Sequence, residues 1–324
     1  MAEWLVEQGI GEERALLVDG GEVLAARMDW PGGLAAGQVE DAVLAHFDPA
    51  RRRGTGRFAS GDEALVDRLP ADSREGALVR LLVTRAALAE RGRLKRAQAR
   101  PSDAVPRPAP TLAEALAGEG AEARTVRRFP AGVWEELWTE AWSGEVSFAG
   151  GSLLFSATPA MTLIDIDGEA PAAALAQAAV APLAMSIRRF DLGGSIGIDF
   201  PSLSRKEDRR AIDGALEAEL AGWQHERTAM NGFGFVQLVA RLERPSLLHL
   251  LAQSRAGAAA RMLLRRAEKV EDAGALLLSA HPAVVGQLTD NWLGELARRT
   301  GREVRLAPDP ALALEGGFAQ AVPL

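Results

Sequence analysis

The chain contains no cysteine. That excludes disulfides, thiol nucleophiles and every cysteine-based zinc site, and it fits a reducing compartment. It also lacks any charge-free apolar run of about 18 residues, so no membrane span is expected. The opening MAEWLVEQGIGEER has neither the basic start nor the apolar stretch of a secretory signal, which points to the cytoplasm. Positive charge is in deficit, with 37 Lys and Arg against 44 Asp and Glu and a formal net charge of −7. Such a chain does not coat nucleic acid by bulk charge. The few histidines, His46, His225, His249 and His281, share no ligand spacing and read as ordinary structural or surface residues. Walker loops, dinucleotide-binding glycine fingerprints and a Ser-His-Asp pattern are missing as well.

What is there is organised. A length of 324 residues suggests two domains or three, and 48% hydrophobic content is ordinary for a globular protein. Residues 1–30 alternate short apolar runs with turns, and Asp19-Gly20-Gly21 is a hairpin signal. From about Gly37 to Val83, further short strand-like pieces suit a small β-barrel. Ala86 to Arg100 reads as more helical and basic, and from Arg80 to Arg100 the chain sets Arg80, Arg85, Arg91, Arg93, Lys95, Arg96 and Arg100 against a single acid, Glu90. Arg51, Arg52 and Arg53 form a second cluster. Each is either a phosphate-contacting surface or a solvated face.

Four prolines in PSDAVPRPAP mark a linker at 101–110. Beyond it, helices and strands alternate, which indicates α/β layers. Trp134, Trp138 and Trp142 recur at helical spacing and read as a core-facing stripe. Gly150-Gly151 turns a hairpin, Pro171 starts a helix running to Arg189, and Ser204 with Glu207 forms a capping box. Helices over Leu247–Val270 and Val284–Arg299 and strands ALLLSA and REVRLA complete the chain. The expected divisions are 1–100, 101–110, 111–247 and 248–324.

Two strands, TLIDID and SIGIDF, end in or near Asp, a residue that strands disfavour. Residues i and i+2 of a strand face the same way, so Asp165 and Asp167 project together, with Ile164 and Ile166 opposite. Asp199 lies at the end of the second strand, where α/β sheets place ligands. Carboxylates converging there suit a hard cation such as Mg²⁺, which usually takes only one or two of them. The alternative is local: Asp167-Gly168 as a turn, and Asp199 as the start of a loop.

Three ordered segments resemble the catalytic region of the ribonuclease E/G family: FAGGSLLFSATPAMTLIDIDG, RRFDLGGSIGIDFPSLSRKEDRRAIDGAL and GFGFVQLVARLERPSL. Residues 3–20 and 37–100 resemble that family's start and OB-like RNA-binding barrel, and the tail from about Ala259 its C-terminal RNase H-like segment. The resemblance implies an α+β fold: an OB-like barrel plus an α/β catalytic region with DNase I-like and RNase H-like layers. It implies that Asp165 and Asp199 bind Mg²⁺ and that Asp167 orients the metal water or the scissile phosphate. It also implies that Phe58 stacks on an RNA base, with a place in the barrel core as the alternative, and that Arg93, Lys95 and Arg96 lie in a basic, phosphate-contacting region. The expected activity is endonucleolytic hydrolysis of single-stranded RNA, giving 5′-phosphate and 3′-hydroxyl ends.

The chain departs from the family pattern in places. Without cysteine the zinc-linked dimer cannot form, which leaves an oligomer through other contacts open. No 5′-monophosphate pocket is matched. Gln237 stands where the family has Glu, and Ala240 where it has Arg. A non-catalytic RNA-binding protein is therefore the second reading. A metal phosphoesterase acting on a small nucleotide is the third.

Overall fold

The computed structural model describes residues 2–90 and 93–324, and the side chains of 89, 90, 93 and 94 lie outside that description. Strands β1 (Glu3–Gly9), β2 (Glu12–Asp19) and β3 (Glu22–Asp29) form a meander. Gly20 and Gly21 at the second turn both hold positive φ, which a side chain would resist. A fourth strand, β11 (Ala123–Val126), pairs parallel to β1.

Between them the chain builds a closed barrel. Its strands are β4 (Val39–Asp48), β5 (Arg53–Arg57), β6 (Glu63–Val66), β7 (Leu78–Arg85) and β10 (Ala97–Pro101), in the order β10-β6-β5-β4-β7. Alternate residues such as Ala42, Leu44, Val66, Leu81 and Val83 fill it with a core of its own. Residues 86–100, read from sequence as helical, are instead β8 (Leu88–Glu90) and β9 (Arg93–Lys95), a hairpin leading into β10. Charge density at that point outweighed the weak apolar alternation.

Most of the rest of the chain shares a second, larger core, while Leu112 and Leu116 pack with Val6 and Ala15 in a small third one. Helix α1 (Leu112–Gly118) opens on a capping box between Thr111 and Glu114. Helix α2 (Val133–Ser143) buries Trp134, Trp138 and Trp142 as the spacing predicts. Then comes a six-stranded sheet of β12 (Glu145–Phe148), β13 (Gly151–Ala157), β14 (Thr162–Gly168), β15 (Gly194–Asp199), β16 (His225–Arg227) and β17 (Phe235–Ala240). Its order is β12-β13-β14-β15-β17-β16. Helix α3 (Ala172–Arg189) crosses from β14 to its parallel neighbour β15 and packs on this sheet and on β3. Helix α4 (Lys206–Glu219) packs on α3. It begins at Lys206 with Arg205 as N-cap and no side-chain cap, so the Ser204–Glu207 box does not form.

The expected long helix after Leu247 is two: α5 (Leu247–Gln253) and α6 (Arg255–Ala267), broken at Ser254, whose φ of −137° is not helical. The strand β18 (Ala275–Ala280) is flanked by β19 (Val304–Pro308) and β20 (Phe318–Val322). Helices α7 (Pro282–Val285) and α8 (Asp290–Thr300) connect β18 to β19. The segment expected as one helix over Val284–Arg299 is thus divided.

The fold is a mixed α+β one with a closed five-stranded barrel. The N-terminal strands expected to share the barrel's unit contribute Leu5, Leu16, Ala26 and Met28 to the larger core instead. No helix among the described residues is long and apolar enough to cross a membrane.

Candidate active site

Strand β14 alternates strictly: Thr162, Ile164 and Ile166 are buried, while Leu163, Asp165 and Asp167 face water. Burial of β-branched side chains on one face fixes the register, since a one-residue slip would bury the aspartates. On β15, Ile196 and Ile198 take the buried role and Asp199 is exposed at the strand's end.

The two strands pair in parallel with Asp165 directly opposite Asp199. Adjacent strands lie about 4.8 Å apart, so the two carboxylates leave the sheet side by side on one face. Leu154 of β13 and Phe235 of β17 flank them in the same row. Among the described residues, neither Asp165 nor Asp199 has a side-chain hydrogen bond or ion pair. Like charges so placed repel each other, and a divalent cation between them would remove that cost.

Asp167 shares the face but sits one row further on, opposite Ser152. Two residues along a strand span about 6.6 Å. Its Oδ1 accepts a hydrogen bond from the Gly168 backbone at 2.9 Å. It therefore caps its own turn beside the pair rather than completing a three-carboxylate cluster, and no group of three His, Cys, Asp or Glu suited to a metal occurs among the described residues. The pair alone still fits Mg²⁺, which keeps several waters and takes few protein carboxylates.

The surroundings are apolar on one side. A Cβ built on Gly197 would lie 2.5 Å from Cζ of Phe235, 2.9 Å from Sδ of Met161 and 3.0 Å from Cδ2 of Leu163. The missing side chain thus lets Phe235 lean across β15 and form, with Met161 and Leu163, an apolar floor next to the aspartate row. Gln237 lies opposite Gly197 and shares the face of Asp199. Ala240 pairs with Gly194 at the far end of β17, on the other face. Of the two departures from the family pattern, only Gln237 borders the pair.

The barrel residues are placed differently. Phe58 is 3% exposed and packed in the barrel core, so its ring offers no open face here. Arg93 pairs through its backbone in the β8–β9 hairpin, and its side chain lies outside the described residues. Lys95 is half-buried and already engaged. Arg96 is exposed and pairs with Glu63 at 3.4 Å. The histidines serve locally: His46 with Glu75 at 3.0 Å, His225 on Trp223, His249 with Ser246, and His281 capping α7.

A recess of about 1020 Å³ lies elsewhere, between the β11 end and α8. Its cations are largely engaged: Arg265 with Glu7, Lys269 with Glu135, Arg299 with Glu268, and Arg302 with backbone carbonyls. The side-by-side carboxylates without partners are on the sheet, so the sheet face is the better candidate.

Sequence reasoning missed one feature. Phe233, between two glycines just before β17, is 83% exposed at the edge that carries Asp199. An aromatic residue set between glycines outside a strand was the available signal. No protein-family model matches the chain, and no curated protein matches it.

Proposed function

We propose that this chain is a Mg²⁺-dependent endoribonuclease of the ribonuclease E/G type, acting on single-stranded RNA in the cytoplasm. The observation that carries the reading is the side-by-side, unpartnered pair Asp165 and Asp199 on the open face of a sheet. The closed five-stranded barrel supports an OB-like assignment. The sheet backed by α3 supports a DNase I-like layer, and the C-terminal β18–β20 sheet with α6 an RNase H-like one.

Asp165 and Asp199 would hold the cation, which supplies an activated water and neutralises charge developing on the phosphate. Asp167, fixed by its own turn, accepts a hydrogen bond from water and orients it toward the row. Phe235, Met161 and Leu163 give that side of the row an apolar border. Lys206, exposed at the start of α4 and soon after Asp199 in the chain, offers charge to the RNA backbone, while Arg205 beside it faces Glu207 and Asp208 at 3.9 Å. The Arg93, Lys95 and Arg96 region beside the barrel holds the strand by its phosphates.

The test is incubation of the purified protein with an end-labelled single-stranded RNA, with Mg²⁺ and with EDTA. Internal cleavage that requires Mg²⁺ and leaves 5′-phosphate ends is the expected result. Retention of the RNA without cleavage supports the second reading, an RNA-binding protein with a weakened site, which Gln237 favours because it removes a charge from the aspartate face. Hydrolysis of small nucleotide esters alone would establish a phosphoesterase instead.

A further inference from the structure

A singly exposed apolar side chain is ordinary on a protein surface, but one whose backbone is fixed beside a candidate site offers a preset contact face. Phe233 is held that way. Asn231 Oδ1 accepts hydrogen bonds from the Phe233 backbone at 2.8 Å and from the Phe235 backbone at 3.1 Å. The Gly234 backbone donates to the Asn231 carbonyl at 3.2 Å, and the Asn231 backbone to the Phe235 carbonyl at 3.1 Å. Gly234 holds a φ of +93°, and a Cβ there would lie 2.4 Å from the Phe200 carbonyl oxygen. The Phe200 backbone in turn donates to the Gly234 carbonyl at 3.2 Å. This turn is therefore tied to the residue that follows Asp199, and the ring it presents is 83% exposed.

The position relative to the carboxylates follows from register. Phe235 stands opposite Asp199 in an antiparallel pair, so the chain before Phe235 continues past the end of β15. Phe233 is thus beyond the aspartate row, while the floor of Leu163, Met161 and Phe235 is before it. A phosphate at the row would have an exposed aromatic ring on its outer side. Exposed Lys206 opens α4 seven residues after Asp199.

We propose that Phe233 is a positioning residue: the nucleobase adjoining the scissile phosphate stacks on its ring. The proposal rests on the ribonuclease reading above and names the base contact that the buried Phe58 does not offer. Stacking requires no particular base edge, so the contact tolerates any sequence. It fixes where the phosphate lies without touching the metal or the water.

The test uses the full chain in EDTA, so that the strand stays intact, and a single-stranded RNA decamer with one 2-aminopurine walked along its length. Binding is read by anisotropy and stacking by 2-aminopurine quenching, for the wild type and for Phe233→Ala, Phe233→Leu and Phe233→Trp. The wild type should show quenching at one position. Phe233→Ala and Phe233→Leu should lose it and bind roughly tenfold more weakly, whereas Phe233→Trp should retain both. In Mg²⁺, Phe233→Ala should scatter the cleavage positions on an unmodified strand. If the wild type binds and cleaves, yet quenching is absent or survives in Phe233→Ala, the assignment of Phe233 falls while the ribonuclease reading stands. If the wild type neither binds nor cleaves RNA, both fall.

Discussion

Arg14 and Glu7 stand opposite each other in the β1–β2 pair, 2.7 Å apart and almost sealed from water. Glu7 also pairs with Arg265 of α6 and accepts a hydrogen bond from the Phe129 backbone at 2.7 Å. Arg14 reaches Glu12 as well, at 2.7 Å. The group ties the N-terminal sheet to a helix from the far end of the chain. Removing one partner leaves buried charge uncompensated, at a cost of about 3–5 kcal/mol. Arg14→Met should therefore lower the urea midpoint sharply. The double variant Glu7→Gln, Arg14→Met should recover part of the loss. A single variant with wild-type stability would show the network to be energetically idle.

The carboxylate pair is tested by charge removal at constant shape. Asp165→Asn and Asp199→Asn should each reduce cleavage by at least about a hundredfold, with fold and RNA binding unchanged. The double variant should be hardly worse, because residues acting on one cation are not additive. Without metal, each Asn variant should melt slightly above the wild type, since repulsion within the pair is gone. Full cleavage by Asp199→Asn would end the metal-pair mechanism.

A pH effect follows from Asp191, in the turn between α3 and β15. Burial raises its carboxyl above the usual range, against the opposing pull of Arg244 and Arg27, with Asp29 and Glu119 adding to the rise. Its Oδ2 is buried without a hydrogen-bond partner. The folded state therefore holds this proton more tightly than the unfolded one. Stability from this group is present at low pH and is lost as pH rises through the raised value. Asp191→Asn should be the more stable protein at neutral pH, by on the order of 1–2 °C in Tm. The difference should shrink on acidification. Its φ of 52° suits Asn as well as Asp. An advantage that grew toward low pH would contradict the assignment.

RNA affinity should fall steeply with salt, as neutralised phosphates release counterions. Replacing Arg93, Lys95 and Arg96 together with Ala should weaken binding and flatten the log–log slope, by about 0.7 for each phosphate of a single strand that is no longer neutralised. An unchanged slope would make the cluster a solvated face, consistent with the existing Arg96–Glu63 pair.

The aspartate strands were legible because alternation and burial coincide in them: TLIDID allows only one register that keeps Ile164 and Ile166 inside. The tryptophan stripe was readable for the same reason, with one face apolar at helical spacing. The break at Ser254 was not, since the residues on either side continue a helical pattern and only tertiary packing interrupts it. Nor could local pattern join β1 to β11, a parallel pairing made across the whole barrel. Sequence left Phe58 between base stacking and the barrel core, where it packs, and passed over Phe233, whose position depends on the nearby end of β15.

The Glu7–Arg265 pair also dictates an order of events during synthesis. Glu7 meets Arg14 seven positions on, and its second counter-ion, Arg265, follows 258 positions after it. Until then Arg14 alone faces the two carboxylates of Glu7 and Glu12, so closing the meander leaves one negative charge in excess. The barrel has no such dependence. All five of its strands lie between residues 39 and 101, so it can close while the remainder is still being translated. The nascent protein thus carries a finished barrel well before the aspartate strands can meet.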